Sequence, residues 1–282
     1  MSATLCSALQ GAAVASYRCR VVEHYWVNRR YKYIRLASDA PLARITRPGQ
    51  FYQLRCPVTE AEQPFLLRPM SVYGAGPEDG RIEFLYSVTG AGTRAMAGLQ
   101  DGGQLDIVGP LGNTFTFDPA FKRILMVARG VGLATMAPLI QQAAGAGVAI
   151  SAVMSARAPD DLMEKEFLRG ANAGVHRVFD ADGSSSVESV EVLLRRMIDT
   201  QRPDAVYTCG SHRLLMLLQR VLADYPEVRG EVAMEQRMAC GMGVCLSCVR
   251  LFDCDGDKQF LRVCREGPVF SIRDVVGEVE FG

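Results

Sequence analysis

Four cysteines near the C-terminus constrain this chain more than any other feature. They read Cys240-Gly-Met-Gly-Val-Cys245-Leu-Ser-Cys248, followed by Cys264 within Val263-Cys264-Arg265-Glu266-Gly267-Pro268. The first three follow C-x4-C-x2-C, the plant-type ligand spacing for a [2Fe–2S] cluster. Four thiolates must then converge on two irons while the backbone wraps closely around inorganic sulfide. Gly241 and Gly243 lie between the first two ligands. Lacking a Cβ, glycine turns sharply and lets amide N–H groups approach sulfur, and such hydrogen bonds tune the reduction potential. The competing reading is a structural zinc site, because four thiolates also suit a tetrahedral Zn²⁺. Zinc frameworks usually pair their ligands as two C-x2-C knuckles, and only one such pair occurs here. A [2Fe–2S] cluster passes single electrons, which would make the chain part of an electron-transfer system.

Composition supports a redox reading and excludes others. The chain has 282 residues, nine of them cysteine, and a formal net charge of zero. That length allows two or more domains. The neutral charge gives no footprint for nucleic acid or an acidic membrane surface. No apolar run is long enough to span a bilayer, and the first residues lack a basic n-region and an apolar h-region. A cytoplasmic location is therefore expected, where cysteines serve metals or redox chemistry more often than disulfides. Cys6, Cys19, Cys56 and Cys254 read by default as small buried hydrophobes.

The texture divides the chain. From Tyr17 to about Phe117 short strand-like runs recur between turn signals. Examples are Tyr33-Ile34-Arg35-Leu36, Gln50-Phe51-Tyr52-Gln53-Leu54, Arg81-Ile82-Glu83-Phe84-Leu85-Tyr86 and Gln104-Leu105-Asp106-Ile107-Val108. Pro48-Gly49, Gly76-Pro77, Asp79-Gly80 and Asp101-Gly102-Gly103 separate them, a pattern that predicts an antiparallel barrel. After Asp118-Pro119, strands at 123–127, 148–153 and 205–208 alternate with helices, one directly after the glycines near 130 and others at 160–168 and 190–198. That alternation predicts a parallel sheet with crossover helices. Near Glu231 the pattern is expected to stop and a glycine- and cysteine-rich tail to begin.

Five short motifs fall where ligands bind. In Leu67-Arg68-Pro69-Met70-Ser71 an arginine fork suits phosphate and a serine hydroxyl suits a ring nitrogen; a solvated loop arginine is the plainer reading. Tyr86-Ser-Val-Thr-Gly90-Ala-Gly92-Thr93 offers backbone N–H groups to a pyrophosphate, or is an ordinary strand-to-helix turn. Gly109-Pro110-Leu111-Gly112-Asn113 marks the end of the β texture. Gly130 and Gly132 follow an apolar strand and precede a helix, where they serve either a phosphate or close helix–strand packing. Cys209 and Gly210 end the last predicted strand; the thiol reads either as a nicotinamide contact or as a buried structural group.

Taken in order, these pieces resemble the ferredoxin–NADP reductase superfamily, and more narrowly the iron–sulfur electron-transfer subunits of type-B dihydroorotate dehydrogenases of pyrimidine biosynthesis. The most specific parts are Glu235-Gln-Arg-Met-Ala-Cys240-Gly-Met-Gly-Val-Cys245 and Cys264-Arg-Glu-Gly-Pro-Val-Phe270. The resemblance implies a multidomain β plus α/β protein: an antiparallel FAD-binding β-barrel at 15–118, a Rossmann-like NAD(P) domain at 119–229 and a [2Fe–2S] segment at 230–282. It implies that Arg68, Pro69, Met70, Ser71, Tyr86, Gly92 and Thr93 serve FAD. Gly130, Gly132, Cys209 and Gly210 would face NAD(H) or NADP(H). Cys240, Cys245, Cys248 and Cys264 would ligate the cluster. A catalytic flavoprotein subunit of dihydroorotate dehydrogenase type would be the partner in a hetero-oligomer. Where the family has glycines before the Gly-x-Gly step, this chain has Ala128 and Arg129; the arginine either grips a phosphate, such as a 2′-phosphate, or closes the pocket.

The implied chemistry follows from electron counting. A nicotinamide delivers a hydride, the cluster accepts one electron, and a flavin does both. No acid–base dyad stands out among His24, His176 and His212, and this hydride transfer needs none. Three alternatives remain: a paralogue serving another partner, such as a sulfide dehydrogenase or transhydrogenase; a flavin and cluster module without nicotinamide turnover; and a zinc-stabilised structural protein.

Overall fold

The computed structural model describes residues 13–75, 80–164, 168 and 171–277. Cys6 and the turn at Gly76-Pro77 and Asp79 lie outside the described residues. The first sheet runs β1 (Ala15–Trp26), β2 (Tyr31–Ala37), β3 (Phe51–Leu54), β4 (Arg68–Ser71), β5 (Arg81–Ser87) and β6 (Gln104–Leu111). Its strand order is β4-β3-β6-β1-β2-β5, with every pairing antiparallel. The two edge strands approach each other just past β4, where Gly74 and Glu83 exchange backbone hydrogen bonds, so the sheet curls into a near-closed barrel without a long free edge. Alternation places Cys19, Val21, Ile34, Leu36, Tyr52, Leu54, Ile82, Phe84 and Ile107 in one interior cluster.

The second sheet runs β7 (Arg123–Arg129), β8 (Ala149–Ala156), β9 (Ala173–Phe179), β10 (Ala205–Cys209), β11 (Arg229–Ala233) and β14 (Val269–Ser271). Its order is β14-β11-β10-β7-β8-β9. All neighbours are parallel except β11 and β14. The chain leaves β7 toward β8 and β9, then returns to β10 on the other side of β7. The crevice above β7 and β10 is therefore the switch point at which open α/β sheets bind ligands. Helices Leu133–Gly145, Val187–Gln201 and His212–Leu222 cover the sheet. Ser186 caps the second by accepting from Ser189 N, and Ser211 caps the third by accepting from Leu214 N, satisfying otherwise unpaired first-turn donors. The third helix buries Leu214, Leu217, Leu218 and Val221 along one face, at about 1.5–3 kcal/mol per side chain.

One sequence expectation needs correction, and a second holds only in part. Residues 160–168 do not open as an α-helix: Pro159–Asp161 form a single 3-10 turn and Leu162 is extended at ψ 126°, while residues 165–167, 169 and 170 lie outside the described set. The parallel strands end at Ala233, near Glu231 as expected, but the sheet gains one more strand from the tail, β14, antiparallel to β11. A two-stranded hairpin, β12 (Val249–Cys254) and β13 (Asp257–Arg262), comes between β11 and β14. Its turn places Asp255 and Gly256 at positive φ, 56° and 88°, the Asp-Gly signature of a tight hairpin. Cys254 sits at that turn and is partly exposed, whereas Cys19 and Cys56 are buried as expected. The described cysteines are all free thiols. Among the described residues, no helix is long and apolar enough to cross a membrane.

Candidate functional site

The hairpin assembles the cysteine site. Val249 pairs with Arg262 at its open end, and Val263 N donates to Cys248 O at 3.1 Å, which sets Cys264 beside Cys248 although 16 residues separate them. Cys264 N donates to Cys248 Sγ at 3.4 Å. The 240–248 loop turns through Gly241 and Gly243, at φ 71° and 81°. It offers Gly243 N to Cys264 Sγ at 3.1 Å, and Met242 N and Val244 N to Cys240 Sγ at 3.4 Å each. Cys245 interacts with Cys240, and Cys264 with Cys248 and, less strongly, with Cys240. Among the described residues, no three His, Cys, Asp or Glu side chains gather around one ion position. The sulfur-directed amides, together with the C-x4-C-x2-C spacing, suit a [2Fe–2S] cluster. Hydrogen bonds from Ser247, then from Cys240, hold the exposed Cys245 down to about 6, so its thiolate is accessible near neutrality. Burial and the neighbouring Cys248 push Cys264 up to about 12; the metal ions themselves would deprotonate it.

On the barrel side, Pro69, Met70, Ser71, Tyr86 and Thr93 line one cavity of about 300 Å³, together with Phe51 and Thr135. A wider groove of about 1000 Å³ continues from it along Phe65, Arg68 and Pro69. Arg68 and Gly92 touch: a Cβ on Gly92 would lie 2.7 Å from Arg68 Nε. Thr93 Oγ1 accepts from Thr89 N and Gly90 N, so this hydroxyl secures its own turn. Tyr86 lines the cavity, but its hydroxyl is bonded to His24 Nε2 at 2.8 Å, and His24 Nδ1 lies 2.9 Å from Leu99 O. His24 is thus a satisfied structural histidine. An apolar floor, a free-facing Ser71 strand and an adjacent arginine fit a flavin and its phosphate.

At the crevice above β7 and β10, a cavity of about 270 Å³ is lined by Arg30, Tyr31, Arg129, Gly130, Gly132, Arg157 and Gly210, with Glu235 at its edge. Arg30 and Arg157 suit the charge of a nucleotide diphosphate. The glycines also answer to packing. A Cβ on Gly132 would lie 2.5 Å from Gly210 Cα, and one on Gly210, at φ 96°, would lie 2.2 Å from Arg129 O. Arg129 does not close the cavity. Its guanidinium turns toward β8 and β9, donating to Ser155 Oγ at 2.6 Å and to both carboxylate oxygens of Asp180 at 3.1 and 2.6 Å. Hydrogen bonds from Arg129, then Ser185, hold the Asp180 carboxyl down to about 2. Cys209 is only 2% exposed, donates to Thr135 Oγ1 at 3.6 Å, and packs in the sheet's core; burial pushes its thiol far above the ordinary range. It stands behind the cavity wall, while its neighbour Gly210 forms the wall.

Sequence reasoning passed over several residues that the fold brings here. Glu235 borders the flavin-side cavity, the groove and the crevice. Its side chain is open to those spaces although protein surrounds it on most sides, and that crowding raises its pKa. Phe51 lines the flavin-side cavity and packs in one apolar cluster with Leu111, Cys248, Val263 and Cys264. Gln53 lies on the same face of β3. The visible signal was a glutamine inside a strand that is buried at every position.

Barrel, doubly wound sheet and cysteine loop together define a ferredoxin-reductase-like electron-transfer protein. Residues 235–276 match the family described as the iron–sulfur cluster binding domain of dihydroorotate dehydrogenase B. The chain is 33% identical to the dihydroorotate dehydrogenase B (NAD(+)) electron transfer subunit of Desulforamulus reducens, over 85% of this chain and 91% of that protein. It is 35% identical to the subunit of that name from Listeria monocytogenes, over 81% and 87%. In fold it is similar to a chain of the NADH-dependent reduced ferredoxin–NADP oxidoreductase, with a TM-score of 0.75 at 24% identity, covering 95% of this chain and 92% of that one. This chain belongs to the family of dihydroorotate dehydrogenase B electron transfer subunits.

Proposed function

We propose that this chain relays electrons between NAD(H) and a dihydroorotate-oxidising flavoprotein subunit, in a cytoplasmic hetero-oligomer. The reading assigns 15–118 to FAD, 119–229 to the nicotinamide nucleotide and 230–282 to the cluster. The observation that carries it is Phe51, whose ring borders the flavin-side cavity and packs with Cys248 and Cys264. Phe51 thus belongs both to the lining of the flavin-side cavity and to the apolar cluster that holds Cys248 and Cys264. When bound, FAD exchanges hydride with a nicotinamide and single electrons with a [2Fe–2S] cluster. The protein's part is to bind, orient and shield. Pro69, Met70 and Ser71 present a strand edge to the ring system, with the Ser71 hydroxyl as hydrogen-bond partner. Arg68 lies where a phosphate would follow along the groove. Cys240, Cys245, Cys248 and Cys264 hold the cluster, and the exposed Met242, Val244 and Leu246 around them offer an apolar docking rim.

Arg129 supports NAD(H) over NADP(H). Its guanidinium already spans Asp180 and Ser155, so gripping a 2′-phosphate would mean releasing a carboxylate, and that carboxylate would repel the phosphate. Asp180→Ala is expected to raise the NADPH-to-NADH ratio of kcat/KM by tenfold or more; an unchanged ratio would remove Arg129 and Asp180 from specificity. The function itself is tested by purifying the chain with whatever binds it and supplying dihydroorotate and NAD⁺ without oxygen. Dihydroorotate-dependent NADH formation is expected. Formation of NADH only with a different reductant would point to another partner oxidoreductase.

A further inference from the structure

The Gln53 carboxamide is fully buried, and among the described residues neither its Nε2 nor its Oε1 has a hydrogen-bond partner. Folded proteins rarely keep such a group, because removing an amide from water without compensation is costly. An apolar residue of the same length would fill this position at lower cost, so packing does not account for the glutamine.

Its surroundings indicate what it serves. On β3, Tyr52 and Leu54 face the barrel core. Strand alternation puts Gln53 on the opposite face with Phe51, which packs with Cys248 and Cys264. The carboxamide lies against the cysteine loop at the residue following Cys240: a Cβ on Gly241 would fall 2.5 Å from Gln53 Nε2 and 2.8 Å from its Cγ. Gly241 has φ 71°, so its glycine is required both by the backbone and by the space the glutamine takes. Across the ladder Gln53 pairs with Pro69, which borders the flavin-side cavity. The amide therefore lies against the cysteine loop, one strand away from Pro69 at the cavity.

We propose that Gln53 is a positioning residue that donates its side-chain N–H to a sulfur of the [2Fe–2S] cluster and raises the cluster's reduction potential. This rests on the cluster reading above. The loop already directs Gly243, Met242 and Val244 N–H groups at cysteine sulfurs; Gln53 adds a donor from the barrel. Cluster sulfurs only accept hydrogen bonds, so the NH₂ end of the amide faces them. Reduction adds negative charge, and a donor stabilises the more negative state.

The test is an EPR-monitored redox titration of the anaerobic holoprotein, comparing wild type with Gln53→Met, which keeps length and loses the donor. The cluster's reduction equilibrium is expected to shift about tenfold toward the oxidised form, ~59 mV for one electron, while the flavin midpoint stays put. A full cluster signal with an unmoved midpoint, or a shift confined to the flavin, would overturn the proposal alone. A wild-type protein without any cluster signal would overturn the cluster reading as well. Should Gln53→Met fail to assemble, wild-type protein carrying ¹⁵N in its glutamine side-chain amides decides the matter. Pulsed EPR of the reduced cluster is expected to show a ¹⁵N coupling, and its absence would overturn the proposal.

Discussion

Gly210 leaves no room for a side chain at the crevice. A side chain there would meet Arg129 O at 2.2 Å, and the backbone sits at φ 96°. Gly210→Ala is therefore expected to cost roughly 2–4 kcal/mol from strain and overpacking together, read as a lower Tm in the absence of nucleotide. An unchanged Tm with weakened nucleotide affinity would instead assign the glycine to phosphate binding alone. Asp180 carries a pH signature. Its carboxyl titrates at about 2 in the folded protein, against an ordinary value of 3.8, chiefly through its hydrogen bond from Arg129. A lowered folded pKa stabilises fully above the ordinary value, and that contribution is lost as pH falls through the folded value of about 2. Because the carboxylate is 40% exposed, the effect is expected to be under about 1 kcal/mol. The stability gap between wild type and Asp180→Asn should be constant above about pH 5, shrink through pH 2 and vanish only near pH ~1. The four cysteines of the proposed cluster site were legible as spacing alone. Arg129 was legible as a departure without a direction, because its partner Asp180 lies 51 residues away and meets it only through the β7-β8-β9 order.

At the level of elements, the long strands were readable because half-buried alternation and Gly or Pro punctuation are local. The hairpin at 249–262 was not, because its strands are partly exposed along most of their length and β13 is mostly polar. It is nevertheless the device that returns Cys264 to Cys248. The Gly-Pro-Leu-Gly-Asn run was legible as a motif but not as a joint. Asn113 Nδ2 donates to Glu266 O and Val269 O at 2.8 and 2.9 Å, and its Oδ1 accepts from Val269 N at 2.9 Å. This one side chain fixes the segment after Cys264 to the end of the barrel and seats β14 on the parallel sheet. Asn113→Ala is expected to lose about 2–3 kcal/mol in chemical denaturation, with faster amide exchange at Val269. Unchanged exchange there would show that β14 pairing with β11 alone holds the segment.

For the whole molecule, three sites adjoin because three pieces of chain meet at one seam. The barrel contributes Phe51 and Pro69 through Ser71, the parallel sheet contributes Gly132 and Gly210 at its switch point, and the tail contributes Glu235 and the cysteine loop. Composition could not place this seam, since it depends on how the barrel and sheet pack together. The arrangement predicts that electrons donated by a nicotinamide at the crevice would reach the cluster singly, by way of the flavin, without any partner protein. The most direct test is anaerobic stopped-flow mixing of the isolated, FAD- and iron-loaded chain with NADH, followed by freeze-quench EPR. The flavin absorbance is expected to bleach and a reduced [2Fe–2S] signal to grow in with it. A flavin that bleaches beside a loaded cluster that stays oxidised, or a loaded protein that NADH leaves untouched, would contradict the electron-relay account.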